Sequence, residues 1–288
     1  MLDLSDIVTV FVSTVGRDTY PECLDHLEEQ DCTFRGPVVT ANVAPMNVAF
    51  QRMLDSCQTP MFIQVDEDML LHKHAVSSMA GRLSVSSSDV AIAAFPLWDT
   101  HLDRAIMGVK AYRHAIVRGY PFQDSASCEM DQAQRFMRDG FKLDTVWPMS
   151  DGQMNRDSQY DPLVMGEHVV RGQEVVYERY YNLGSKFARY GWMGWLGEEM
   201  HRVVQRLFER CQVHDPLRPS YSREEDLLAL MGFAAGIAKP QEGEKNFAAF
   251  YQTPALYHIA HIVSGEYKTP SDPLLPVGKI APEPCSSR

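Results

Sequence analysis

The stretch that most constrains this chain is MFIQVDEDMLL, residues 61–71. A run of apolar and β-branched residues stops there on three consecutive acids, Asp66, Glu67 and Asp68. An apolar run of four to eight residues without alternation is the pattern of a strand buried on both faces, as in a parallel sheet covered by helices. Adjacent carboxylates repel and raise one another's pKa, so three at a strand end are costly unless a cation neutralises them. Alternation along an extended chain puts Asp66 and Asp68 on one side and Glu67 on the other. Two carboxylates so placed can hold a hard divalent cation, and such a cation can bridge the phosphates of a nucleotide. Open α/β sheets bind ligands at this edge, beyond the carboxyl ends of the strands. The competing reading is a solvated acidic turn after a core strand, because a lone D-x-D matches often by accident.

The flanking sequence favours the first reading. Residues 7–13 (IVTVFVS) predict a buried first strand, followed by a polar turn at Thr14-Val15-Gly16-Arg17-Asp18. Thr19 and Glu22 have capping-box spacing with Pro21 between them, and Tyr20, Leu24 and Leu27 mark the inner face of the helix that follows. A short strand at 38–41 leads to a helix at 47–56, whose stripe is Ala49, Met53 and Cys57 with Phe50 and Leu54 beside it. Beyond the acids come a helix around Val76, Met79, Ala80 and Leu83, a buried strand at 90–95 and a more exposed one at 105–112. A helix is expected at 127–139, with Met130, Ala133, Phe136 and Met137 inward and Gly140 as its terminating glycine, then a strand at 141–146. Residues 149–162 read as a polar loop or lid.

After Gly172 the pattern is helical only, at 174–189, 196–211, 223–237 and 247–264, and the last residues are rich in proline. The expected organisation is therefore an α/β domain over residues 1–172, a helical region over 173–266 serving the acceptor side or homo-oligomerisation, and a tail over 267–288.

Composition excludes some classes. A formal net charge of −11 argues against a generic nucleic-acid binder, whose affinity rests on basic side chains meeting phosphates. The six cysteines form no C-x-x-C pair, which fits reduced thiols in a cytoplasmic protein. No secretory signal is apparent, and the longest uncharged apolar run, 227–238, is shorter than the roughly 20 residues a membrane-spanning helix needs.

Several of these pieces fall into one order. Residues 8–30 (VTVFVSTVGRDTYPECLDHLEEQ) resemble the first strand, loop and helix of GT-A glycosyltransferases of the family-2 type. Residues 47–70 are similar to that family's helix leading into its D-x-D strand, and Gly119-Tyr120-Pro121-Phe122 looks like its acceptor-side turn. Residues 128–143 (CEMDQAQRFMRDGFKL) resemble the segment with its catalytic base, an Arg six residues on and a Gly-aromatic pair beginning eleven on. The resemblance covers residues 5–170, and it implies a GT-A (Rossmann-like) mixed sheet flanked by helices. It further implies that Thr14, Arg17, Asn47, Asp66 and Arg135 contact the nucleotide-sugar donor. Asp66 and Asp68 would hold a divalent metal with His168 as third ligand, and Glu129, or Asp131 two residues later, would act as base. The base position carries Glu where the family has Asp, and the second strand offers Asn42 where the family has an acid for the nucleobase.

The chemistry is coherent. Transfer from a nucleotide sugar builds charge on the departing diphosphate, which Mg²⁺ or Mn²⁺ on Asp68, supported by Asp66, would stabilise. An imidazole ligand tilts the choice toward Mn²⁺. An acceptor hydroxyl must lose its proton as it attacks, which calls for a carboxylate within hydrogen-bond reach, and a single carboxylate base favours inversion. The acceptor is left open among a glycan, a lipid-linked group, a protein and a nucleic acid. The basic stripe Arg202, Arg206 and Arg210 is either a solvated helix face or a surface for an anionic acceptor. Two other functions compete. A sugar-nucleotide nucleotidyltransferase would show a Gly-rich basic loop after the first strand, where this chain has one glycine. A non-catalytic scaffold would keep the fold and lack turnover.

Overall fold

Val8, Val10 and Val12 leave the first long strand on one side and Thr9 and Phe11 on the other, and all five are buried. A strand covered on both faces needs two layers of helices, and the chain supplies them. The computed structural model describes residues 1–101, 104–125, 127–146, 161–190, 232, 233 and 236. The chain divides into two compact units, Met1–Val170 and Arg171–Arg288.

The first unit begins with β1 (Leu2–Asp3), β2 (Val8–Thr14), α1 (Thr19–Glu28), β3 (Cys32–Thr33) and β4 (Arg35–Ala41). It continues with α2 (Met46–Ser56), β5 (Met61–Asp66), β6 (Met69–Leu71), α3 (Ala75–Val85), β7 (Val90–Asp99) and β8 (Arg104–Arg113). Then come α4 (His114–Val117), α5 (Cys128–Arg138), β9 (Lys142–Thr145) and β10 (Gly166–His168). Among the described residues, β1 and β3 form a small parallel pair, and an eight-stranded sheet runs β4-β2-β5-β8-β7-β10-β6 with β9 also on β7. β2 is parallel to β4 and β5, whereas β8 runs antiparallel to both β5 and β7. This is the mixed α/β sheet flanked by helices expected from the sequence.

Alternation sorts the core into two layers. Val8, Val10, Val12, Ile63 and Val65 join one cluster with Cys23 and Leu27 of α1 and Val76, Met79 and Leu83 of α3. Phe11, Phe62, Ile92 and Tyr112 join the other with Ala49, Phe50 and Met53 of α2 and Ala133 and Phe136 of α5. Each of the Val, Leu, Ile, Met and Phe side chains among them, fully buried, contributes about 1.5–3 kcal/mol of transfer free energy. Phe62 and Tyr112 stack with ring centroids 4.5 Å apart, locking β5 to β8.

Four details depart from the expected pattern. Thr19 is the first helical residue of α1 and not its cap: its hydroxyl is buried without a hydrogen-bond partner among the described residues, so the capping box is not formed. The inner stripe of α1 is accordingly Thr19, Cys23 and Leu27, with Leu24 half-buried. β8, read as exposed because charged residues punctuate it, is a central strand whose Ala105, Val109, Ala111 and Tyr112 are fully buried. On α5 Met137 lies outward, and Gln132 takes a place in the interior. Gly140 does follow α5 with φ +92°, the left-handed conformation that suits glycine at a helix end.

In the second unit α6 (Gln173–Tyr190) matches the first helix expected there. Its Tyr177 and Tyr181 stack at 6.2 Å, and a Cβ on Gly232 or Gly236 would fall 2.2 Å from the Tyr177 carbonyl oxygen or 2.1 Å from that of Tyr181. The glycines let two segments cross closely. The expected lid at 149–162 falls almost wholly, and the helices at 196–211 and 247–264, the Arg202/Arg206/Arg210 stripe and the proline-rich tail entirely, outside the described residues. Among the described residues no helix is long and apolar enough to cross a membrane.

Candidate active site at the carboxyl edge of the sheet

The three acids of the sequence signal have three separate environments. β5 ends with Asp66 paired in register to Ser13, the penultimate residue of β2, and the Ser13 hydroxyl donates to Asp66 Oδ1. Asp66 shares its side of β5 with Phe62 and Gln64, the side covered by α2 and α5. Burial and the neighbouring Asp68 carboxylate push its pKa up to about 6, against the Ser13 hydrogen bond; Glu129 adds to the rise and Lys110 opposes it. Asp66, Asp68, Glu129 and Lys110 therefore share one electrostatic neighbourhood.

Glu67 turns into the loop between β2 and α1. Its Oε2 accepts from the Thr14 hydroxyl at 2.5 Å, the Gly16 N–H at 3.1 Å and the Arg17 N–H at 2.9 Å, and its Oε1 accepts from the Val15 N–H at 3.0 Å. Arg17 Nε adds charge at 3.8 Å. Gly16, with φ +85°, allows these successive N–H groups to point inward, forming a nest for an anion. The nest is filled by the protein's own carboxylate, which is only 5% exposed. Thr14 and Arg17, expected at the donor, are both tied to Glu67.

Asp68 faces the other edge of the sheet. β10 is antiparallel to β6 and parallel to β7, with His168 opposite Met69 on one side and Asp99 on the other. This register carries His168 Nε2 to 3.5 Å from Asp68 Oδ2 and His168 Nδ1 to 2.9 Å from Asp99 Oδ2. The approach is close: Gly166 has φ +156°, and a Cβ there would fall 2.2 Å from the Leu70 carbonyl oxygen. Burial works to raise the Asp68 pKa, but the His168 hydrogen bond, the His168 charge and then Arg17 outweigh it, so the carboxyl lies below its ordinary value. Asp68 Oδ1 is buried and makes no hydrogen bond among the described residues.

Glu129 stands in the first turn of α5. Its Oε1 accepts from Lys110 Nζ at 2.7 Å and from the Tyr112 hydroxyl at 3.1 Å, and that hydroxyl lies 3.3 Å from Gln64 Oε1. Burial and Glu129 hold the Tyr112 phenol well above its usual range, so it remains a hydrogen-bond donor. Asp131 is bound by Arg135 at 2.8 Å, and Arg135 also donates to the Pro121 carbonyl, pinning the 119–122 turn against α5. Asn47 lies half-buried in the first turn of α2 and takes part in none of these contacts.

The donor set can be weighed for a divalent cation. Among the described residues no three His, Cys, Asp or Glu side chains converge as a ready-made metal site. What is assembled is a pair, Asp68 and His168. Asp99 holds the second imidazole nitrogen, in the manner of the outer carboxylates that orient metal-bound histidines. The orphaned Asp68 Oδ1 is the buried acceptor such a cation would satisfy, and Asp68 lies close enough to Asp66 for its charge to raise the Asp66 pKa. The residues fit a cation whose remaining positions are filled by ligand oxygens and water. Asp99 is the member of this group that sequence reasoning missed. Its signal was present: VAIAAFPLWD, like MFIQVD, is an apolar strand ending on an acid.

No protein-family profile and no curated protein matches the chain. Solved structures do. It is similar to the mannosyltransferase PcManGT from Pyrobaculum calidifontis in complex with GDP-Man and Mn²⁺, at 15% identity over 92% of this chain and 81% of that one, with a TM-score of 0.44. It is similar to glucosyl-3-phosphoglycerate synthase from Mycobacterium tuberculosis in complex with Mn²⁺, uridine-diphosphate and glucosyl-3-phosphoglycerate, at 12% identity over 65% and 80% of the two chains, with a TM-score of 0.39. It is also similar to 4-diphosphocytidyl-2C-methyl-D-erythritol synthase from Anaerococcus prevotii, at 9% identity over 52% and 93%, with a TM-score of 0.36.

Proposed function

We propose that this chain is a metal-dependent glycosyltransferase that moves a sugar from a nucleotide-sugar donor to an acceptor hydroxyl. The observation that carries the reading is the Asp68–His168–Asp99 arrangement at the carboxyl edge of the sheet, in one electrostatic neighbourhood with Asp66 and Glu129. Asp68 and His168 would hold Mn²⁺ or Mg²⁺, with Asp66 beside them and Asp99 fixing the imidazole. When bound, the cation supplies Lewis-acid stabilisation of the charge that builds on the diphosphate.

The chain's own residues do the rest. Glu129 accepts the proton of the acceptor hydroxyl as that oxygen attacks the anomeric carbon, and single displacement by this route inverts the configuration. Lys110 and Tyr112 fix the Glu129 carboxylate by donating to it. Asp131 is the weaker candidate for base because Glu129, and not Asp131, is among the charges that act on Asp66. Arg135 acts by holding the 119–122 turn, and Arg17 acts by its bonds to Glu67 in the β2–α1 loop. The buried thiols Cys23, Cys32 and Cys57, in no disulfide among the described residues, support a cytoplasmic location.

Nucleotidyl transfer is the less favoured reading, for a structural reason. It calls for a loop after the first strand that offers its N–H groups to a triphosphate. Here the N–H groups of Val15, Gly16 and Arg17 are engaged by Glu67. The test is hydrolysis and transfer with a panel of nucleotide sugars, with and without Mn²⁺, on wild type, Asp68→Ala and Glu129→Gln. Metal-dependent release of nucleoside diphosphate from one donor, lost in Asp68→Ala, is expected. Absence of turnover with every donor and metal would replace the catalytic reading with a scaffold.

A further inference from the structure

The far edge of the sheet carries a second concavity, separate from the acids of the site above. A cavity of about 550 Å³ opens beside β6, β7 and β10, and its wall includes His72, His74, Ser78, Trp98, Asp161 and Glu167. Strand alternation explains the separation. On β10, His168 and Glu167 point to opposite faces of the sheet, and their partners on β7 are Asp99 and Trp98 respectively. Asp99 and His168 therefore meet on one face, and Trp98 and Glu167 line the cavity on the other. Trp98 is only 5% exposed and packs in a cluster with Ala105 and Val164, so its indole is a fixed wall. Asp31 binds His74 Nδ1 at 2.8 Å and so sets the orientation of that imidazole on the rim.

We infer that this cavity is a binding site for a neutral sugar, outside the donor site. Its volume lies within the roughly 300–1,000 Å³ of small-ligand pockets. Two carboxylates on its wall disfavour an anion by like-charge repulsion. A cation would be served by acceptors alone, whereas this wall mixes acceptors (Asp161 and Glu167) with groups that also donate (the His72 and His74 imidazoles and the Ser78 hydroxyl). Hydroxyl groups, each both donor and acceptor, suit that mixture, and the apolar part of the wall, Ala75, Trp98, Val164 and Met165, meets the C–H side of a sugar ring. The inference does not depend on the proposed transfer reaction, since it concerns free sugar and the opposite face of β10.

The test is titration of the full chain with glucose, mannose, N-acetylglucosamine and maltose, followed by saturation-transfer NMR, with glucuronate and glucosamine as the anionic and cationic probes. At least one neutral sugar should bind. Ser78→Trp, a change at an exposed helical position, should abolish that binding, and Glu167→Gln should weaken it about tenfold, the effect of one lost polar contact. Asp68→Ala should leave it unchanged. The inference is overturned if no neutral sugar binds, if glucuronate or glucosamine binds more tightly, if both cavity variants bind as wild type does, or if Asp68→Ala removes the binding.

Discussion

Replacing Glu67 by Gln tests the internal nest most sharply, because the change keeps the shape and removes the charge. In the wild type one carboxylate accepts four hydrogen bonds from residues 14–17 and is flanked by Arg17. The carboxamide must place its NH₂ where one oxygen was. With the NH₂ at the Oε1 position, the Val15 N–H faces another donor, and a buried unsatisfied donor costs about 1–3 kcal/mol. The three remaining bonds change from charge-assisted to neutral, a loss on the order of 0.5–1 kcal/mol each. Discounted for the partial exposure of the loop, the expected destabilisation is about 3 kcal/mol. In a unit of this size that lowers Tm by roughly 6–12 °C. The assay is thermal and urea denaturation beside Glu28→Gln, a neutralisation at an exposed position of α1. A Glu67→Gln protein that melts within about 1 °C of the Glu28→Gln control would refute the nest as a structural element.

Three further outcomes follow from the same geometry. Asp99→Asn leaves Asp68 and His168 in place but loosens the imidazole, and Mn²⁺ affinity measured by calorimetry should fall about 10–100-fold. In metal-free protein Asp66 has a folded pKa of about 6 against an ordinary 3.8, so the unfolded chain releases that proton first and stability falls as pH rises from about 4 to 6. Asp66→Asn removes this loss, and urea denaturation with chelator should find the variant about 2 kcal/mol more stable than wild type at pH 7 and equal to it below pH 4. Gly166→Ala puts a Cβ against the Leu70 carbonyl, so it should cost about 2–4 kcal/mol and weaken Mn²⁺ binding together with stability; wild-type values for both would remove the close β10–β6 approach as the device that delivers His168.

Much of the fold was legible because burial on both faces leaves uninterrupted apolar runs. The strands at Val8–Thr14, Met61–Asp66 and Val90–Asp99 and the helices between them follow from that signal. β8 was legible as a strand but not as a central one. Lys110 and the flanking arginines made it look solvated, whereas Lys110 is drawn to Glu129, 19 positions later in the chain, in an ion pair that no local pattern encodes. The site was legible only in part for a similar reason. Alternation gives the direction of Asp66 while β5 lasts, but the strand ends at Asp66 and the chain then turns. Glu67 consequently enters the β2–α1 loop, and Asp68 meets a histidine 100 positions later in the chain through the register of β6 and β10. Asp99 carried a sequence signal and became meaningful only once β10 placed His168 beside it.

The account turns on whether Asp68 and His168 hold a divalent cation that a nucleotide diphosphate then shares. Calorimetric titration of Mn²⁺ into wild type, Asp68→Ala and His168→Ala, alone and with UDP or GDP, measures this directly. One Mn²⁺ per chain, tightened by a nucleoside diphosphate and lost in both variants, is the predicted result. Mn²⁺ binding that survives both substitutions, or none in the wild type with either nucleotide present, would contradict it.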